Sequence, residues 1–349
     1  MVPHLTYPEA LVVGLFQGVT ELFPISSLGH SVLIPALVGG SWAQDLNVSR
    51  AHSPYLAFIV GLHVATAIAM VIYFWRDWLR IVAGFVTSIT RRRIETADQK
   101  LAWMIIMATI PVGIVGALLQ HTVQNTFAKP VLTAVFLAVN GLILFGGEQL
   151  RRREAGPAAV PRAPVEETWV AGSAAGRGAG GTPLPGAPSA PRTQIAGRHT
   201  AGQRAVRQQE YDEAVAADAR LALVGYLRGT VLGALQIFAL LPGISRDGVV
   251  MVGGMARGLS RQDAARFSFL LSAPVIFAAG ALKLGELTGP DGNGIRGQVL
   301  AGSIASGVAA FLALRFLMRY LQDGRGTLMP FAIYCLVVGV GSAIYLSVT

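Results

Sequence analysis

Gln17, Glu21, Ser26, Ser27 and His30 all stand in one short stretch, "GLFQGVTELFPISSLGHSVL" (14–33). A carboxylate, an imidazole and two hydroxyls are the groups from which general bases, nucleophiles and metal ligands are made. Gln17 and Glu21 are four apart and share a helix face; the serines and His30 follow the break at Pro24. A second polar stretch, "LPGISRDG" (241–248), shapes a turn at Pro242 and Gly243 that presents Ser245, Arg246 and Asp247. A guanidinium beside free backbone N–H groups suits an anionic oxygen, phosphate above all. Alternatives remain open from the residues alone. Arg246 could pair with Glu21 or Asp247, Ser26 and Ser27 could be helix caps, and Glu21 could be a metal ligand or a base. His30 is read as a nucleophile or proton carrier.

These groups sit in a chain made for lipid. Of 349 residues, 53% are hydrophobic and 13% charged, and the mean hydropathy is +0.54. Soluble domains carry about twice that charged fraction, so the chain reads as an all-α polytopic membrane protein. Ionisable groups at membrane depth are costly to hold there and are functional candidates for that reason. The net charge of +9 resides in segments between apolar runs, as expected of arginines facing an anionic leaflet; nucleic-acid binding is excluded on that pattern. The lone cysteine, Cys335, cannot form an internal disulfide.

Six runs are long enough to cross about 30 Å of hydrocarbon: 55–75, 101–119, 130–147, 267–287, 298–316 and 327–347. Two more, 8–38 and 221–260, are broken by Pro, Gly and Ser and read as re-entrant hairpins. Segment 148–220, rich in Ala, Gly, Pro and Arg, reads as a flexible cytoplasmic linker whose end, "RAVRQQEYDEAVAADAR", forms a short surface helix. The organisation expected is thus a first repeat over 1–147, the linker, and a second repeat over 221–349.

The two broken stretches align without a gap, Gly14 on Gly233, with identities at Gln17/Gln236, Ser26/Ser245 and Gly29/Gly248 among others. Each is followed by three spans. Basic residues in the 76–93 loop, the linker, 257–266 and 315–325 place those segments in the cytoplasm and both termini outside. The hairpins then enter from opposite sides, an inverted repeat whose tips define a site at mid-membrane. His63 and Asn140, single polar residues within spans, read as helix–helix glue; Lys283 and Glu286, near a span end, are expected to snorkel.

At these residues the chain resembles a known family. "QGVTELFPISSLGH" (17–30) and "LPGISRDGVV" (241–250) are similar to the two signature regions of the bacterial undecaprenyl-pyrophosphate phosphatases, also described as bacitracin-resistance proteins. Supporting stretches are "MATIPVGIVGALL" (107–119), "GLSRQDAARFSFLLSAP" (258–274) and "FLMRYLQDGRGTLMPFAIY" (316–334). The resemblance implies an enzyme of the bacterial cell membrane, its site toward the extracytoplasmic face, that removes the terminal phosphate of undecaprenyl pyrophosphate and so recycles the carrier for cell-wall synthesis. It implies catalytic roles for Glu21, Ser27, His30 and Arg246. It also implies substrate binding by Ser26, Gly243, Ser245 and Arg246.

Two positions depart from the family pattern, Asp247 for a serine and Val250 for a threonine, and Gln17 takes the first acidic position. A divalent cation, Mg²⁺ or Ca²⁺, is expected between the tips on Glu21, Gln17 and Asp247, with Asp247 restoring the carboxylate absent at position 17. Expected partners are the polyprenyl pyrophosphate lipid, the membrane and, as an open alternative, a second copy in a homodimer. The competing expectations are a polyprenyl-phosphate flippase or transporter, which has no use for a nucleophile, and a weakly active or dead relative binding another lipid pyrophosphate.

Overall fold

The computed structural model describes residues 5–40, 42, 46, 54–127, 129–154, 208, 211–282, 294–322 and 326–348. Most of the expected linker therefore lies outside the described residues, as do Lys283 and Glu286. The chain comprises one compact unit of 1–154 with 217–349 and a second unit, 155–216. Of the second, the described part is residue 208 and the start of a helix at Tyr211, where Gln208 Nε2 donates to Asp212 Oδ1 at 3.0 Å.

Among the described residues every regular element is a helix. The first hairpin is α1 (Tyr7–Leu22) and α2 (Ser27–Val38). Thr6 starts α1 as a capping box with Glu9, its Oγ1 donating to Glu9 Oε2 at 2.8 Å. There follow α3 (Pro54–Tyr73), α4 (Trp75–Arg91), α5 (Ala97–Phe127) and α6 (Pro130–Glu154). Beyond the linker come α7 (Tyr211–Ala222) and α8 (Tyr226–Ala234), the latter tightening into a 3₁₀ turn over Leu235–Leu240. Then α9 (Arg246–Met255), α10 (Arg261–Leu282), α11 (Arg296–Leu321) and α12 (Met329–Val348) complete the chain.

Five of these helices, α5, α6, α10, α11 and α12, are long and apolar enough to cross a membrane. Two bent pairs are added, α3 with α4 at 85° and α7 with the α8 segment at 95°. The 76–93 segment, expected as a loop, is the helix α4. Its buried side (Asp77, Ile81, Gly84, Ser88) recurs at helical spacing, while Leu79, Val82, Val86 and Ile89 stay exposed.

The α7 segment, expected as a short surface helix, is exposed along most of its length and anchored on one side. Asp218 and Leu221 are buried, and Asp218 Oδ1 accepts from Arg266 Nη2 of α10 at 2.8 Å. Arg80 of α4 pairs with the same carboxylate, and Arg266 also reaches Asp77 at 3.0 Å. Two cations shared among buried carboxylates satisfy charges that would be costly alone.

The helix packing brings the hairpins together. Arm α1 lies along α11 and arm α8 along α5, while α6 packs on α12. Close approach rests on small residues, as in lipid-embedded bundles: Gly14 meets the backbone of Gly302, and Gly233 that of Ala108.

Candidate active site

The two hairpin tips touch. A Cβ on Gly29 would lie 2.8 Å from the α-carbon of Gly243, so the tips meet backbone to backbone. Gly243 has φ +110° and is hemmed by Thr133 O and Leu137 N, 2.5 and 2.7 Å from where a Cβ would stand; only glycine meets both demands.

Ser26 is the strained residue of the first tip, with φ +68°, a conformation costing about 1–3 kcal/mol outside glycine. Its contacts hold it there. Ser26 Oγ accepts from Gly29 N and from Gly243 N across the junction, both at 3.2 Å, and its carbonyl accepts from His30 Nδ1 at 2.7 Å. Asn140 of α6 clamps the junction from beneath, donating to Pro24 O at 2.9 Å and accepting from Ser245 N at 2.9 Å. This is the glue expected of Asn140. Ser245 caps α9, its Oγ accepting from Gly248 N at 3.1 Å. Ser26 and Ser245 therefore cap α2 and α9; the capping alternative left open for Ser26 and Ser27 falls to Ser26, Ser27 being the first residue of α2, and Gly243 N donates to Ser26 Oγ.

Glu21 is the hub. Its Oε2 accepts from Ser27 Oγ in a short hydrogen bond and from Gln17 Nε2 at 3.4 Å; its Oε1 pairs with Arg246 from the other hairpin. Gln17 is held in turn by Ser306 of α11, which donates to Gln17 Oε1. Arg246 is the first residue of α9 and Ser27 the first of α2, so two helix N-termini, each favourable to an anion, flank the carboxylate. Arg246 Nε is buried without a protein partner. Gln17, Glu21, Ser27, His30 and Arg246 are thus brought together; all but Arg246 are buried, and its side chain is 19% exposed.

Two participants carry no mark in the sequence. His63 of α3, expected as glue, places Nε2 3.2 Å from Glu21 Oε2 and Nδ1 2.8 Å from Ile59 O. Tyr334 of α12 places its hydroxyl 2.9 Å from His30 Nε2, with the two rings stacked. With Nδ1–H donating to a carbonyl, the neutral His30 ring has Nε2 as its acceptor and Tyr334 as the donor to it. A family signature flags neither residue, though Tyr334 closes the supporting "PFAIY" stretch.

Asp247, expected with Glu21 and Gln17 to hold a cation, is engaged by α10. Its Oδ1 accepts from Ser268 and Ser272 of α10, at 2.6 and 2.7 Å, rather than completing a ligand set with Glu21. With both Glu21 oxygens and Gln17 Oε1 engaged, the three residues do not fit a protein-held divalent cation; no cluster of three or more His, Cys, Asp or Glu residues suited to a metal occurs among the described residues.

An apolar cavity of about 300 Å³ adjoins this chain of groups. Ser27, His30, Gln17 and Thr20 stand in its wall, and Val12, Phe16, Ile34, Pro35, Trp42 and Tyr55 supply apolar lining.

Comparison with known proteins gives the family. The family model described as "Bacitracin resistance protein BacA" matches residues 10–175 and 203–341, both tips included. The chain belongs to the BacA family. It is 53% identical over 347 residues to the undecaprenyl-diphosphatase of Mycolicibacterium paratuberculosis, covering 99% of each chain. It is 49% identical to undecaprenyl-diphosphatase 2 of Frankia alni, over 96% of each, and 33% identical to the undecaprenyl-diphosphatase of Granulibacter bethesdensis, over 97% of this chain and 96% of that one. The linker is thus spanned in the mycobacterial relative, and the BacA-family model leaves unmatched only 176–202 between its two segments.

Proposed function

We propose that this BacA-family protein hydrolyses undecaprenyl pyrophosphate to undecaprenyl phosphate and phosphate in the bacterial cell membrane, returning the lipid carrier to cell-wall synthesis. The observation that carries this reading is the linked set Ser27–Glu21–Arg246, drawn from both hairpins and set beside an apolar cavity. A cation and two helix N-termini answer a diphosphate, the cavity answers the first isoprene units of the tail, and a hydroxyl on a carboxylate is an activated nucleophile.

In this mechanism Ser27 Oγ attacks the terminal phosphorus while its proton passes to Glu21 Oε2. The bond from phosphorus to the bridging oxygen breaks, and undecaprenyl phosphate leaves with the electron pair. Water then attacks the phosphoserine and gives one proton to the departing Ser27 oxygen; the proton held on Glu21 is released with the products. Arg246 exchanges Glu21 for the diphosphate oxygens and stabilises the charge that spreads over them. Ser27 is preferred to His30 as nucleophile because the one lone pair of the His30 ring is occupied by Tyr334. His30 instead ties the tip to Ser26 O.

No step runs through a divalent cation. We assign any divalent-ion dependence to the substrate, whose diphosphate oxygens chelate such ions themselves, rather than to Glu21, Gln17 and Asp247.

We further propose the inverted repeat, supported by the reciprocal packing of α1 on α11 and α8 on α5 and by the matched contacts Gly14–Gly302 and Gly233–Ala108. The distribution of arginines supports an extracytoplasmic site. One chain supplies both tips, so a homodimer would multiply sites without completing them. The decisive experiment measures phosphate release by purified protein given undecaprenyl pyrophosphate, beside Arg246→Ala and His30→Ala. Release lost in Arg246→Ala supports the reading; a wild-type protein that binds the lipid and releases no phosphate returns it to the flippase class.

A further inference from the structure

His63 carries an inference that rests on the phosphatase reading and deepens it. Its two ring nitrogens face acceptors only, the Ile59 carbonyl at 2.8 Å and the Glu21 carboxylate at 3.2 Å. A neutral imidazole has one N–H and would leave a lone pair against one of those oxygens; the imidazolium satisfies both. The other groups on Glu21 all donate to it as well: Ser27 Oγ, Gln17 Nε2 and Arg246 Nη2. The charged groups facing His63 are thus Glu21 from α1 and Arg246 from α9. Arg246 must serve two masters, because the guanidinium that neutralises Glu21 in the resting site is also the cation for the diphosphate.

We propose that His63 is a positioning residue: it remains with Glu21 as counter-ion and hydrogen-bond donor when the diphosphate takes Arg246, and so keeps the base ionised and aimed at Ser27. Without it, the transfer of Arg246 would leave a buried carboxylate without a cation beside an anionic substrate, an arrangement that opposes ionisation of the base. With it, Glu21 keeps one cation of its own when Arg246 turns to the diphosphate. The geometry also explains why one polar residue of an apolar span stands at the helix face turned to α1.

The test uses the full-length protein in detergent. His63→Gln keeps a donor for Glu21 and removes the charge. It is expected to lower kcat for undecaprenyl pyrophosphate about 10- to 100-fold, the range typical of partners that hold a reacting group in place, while KM stays within about twofold. Packing damage alone would not produce that split. Unchanged kcat in His63→Gln overturns the proposal. A second readout needs no turnover: in ¹⁵N-histidine NMR at pH 8 the signal lost in His63→Gln is expected to be that of an imidazolium, both ring nitrogens carrying a proton. In Glu21→Gln it is expected to become a neutral tautomer. A neutral His63 in the wild-type spectrum at pH 8 overturns the proposal. Failure of the underlying reading looks different, as full turnover in Ser27→Ala or no phosphate released by wild type, and the NMR signal still decides the ion pair.

Discussion

The first hairpin holds its chemistry in side chains, and the second gives up most of its own. With Gly14 laid on Gly233, Glu21 falls on Leu240, Ser27 on Arg246 and His30 on Val249. The first arm is α-helical to its tip, whereas the second tightens into a 3₁₀ turn before Pro242. The caps are alike: Ser26 and Ser245 each accept from the backbone three residues on. Two tips with the same capping hydrogen bond, made at φ +68° by Ser26 and at φ −84° by Ser245, thus carry opposite charge, base and nucleophile on one and guanidinium on the other. The scaffold needs the shared serine and glycine; the reaction needs the difference.

Ser27→Ala removes the nucleophile while leaving the Ser26 cap, and phosphate release should fall by about 10³-fold or more, with lipid binding retained in a filter or thermal-shift assay. Gly243→Ala drives a methyl into Thr133 O and Leu137 N at positive φ. It should cost about 1–3 kcal/mol, seen as a lowered Tm in detergent, and should abolish turnover by parting the tips. Loss of turnover at unchanged Tm would separate junction geometry from stability.

The matched glutamines sharpen the contrast with opposite signs. Gln17 is held by Ser306 and Glu21, but both amide atoms of Gln236 are buried without a partner. Gln236→Leu should therefore raise stability by about 1–3 kcal/mol and leave turnover intact, while Gln17→Leu should lower both. The smallest effect is expected at Tyr334. Tyr334→Phe frees His30 Nε2 while keeping the stacked ring, and kcat should fall only several-fold, about 1 kcal/mol for one hydrogen bond. An increase in kcat would mean that Tyr334 restrains His30 rather than placing it.

Much of this architecture is legible in the sequence, because lipid demands long apolar runs and tolerates a broken helix only at a protected site. The Pro24 and Pro242 breaks locate the tips, and Glu21 is one of the two ion-pair partners left open for Arg246 by the sequence. What remained hidden has a common cause: facing. A lone histidine in α3 gives no sign of which neighbour it meets, so His63 reads as glue. Tyr334 is one aromatic among apolar residues. Asp247 is captured by Ser268 and Ser272, four apart on α10, and small hydroxyls in a span carry no signal that they will hold a carboxylate. The α4 segment reads as a basic loop because arginines interrupt an apolar spacing that only the folded helix sorts onto two sides.

The backbone contact between Gly29 and Gly243 has a consequence for tolerance to mutation. Because bare main chain sets the gap between the two tips, no rotamer can widen or narrow it, and the junction works as a caliper rather than a hinge. Changes on the outward, lipid-facing sides of α1 and α8 should then drift freely between related chains, while one added methyl at the meeting point jams the jaws.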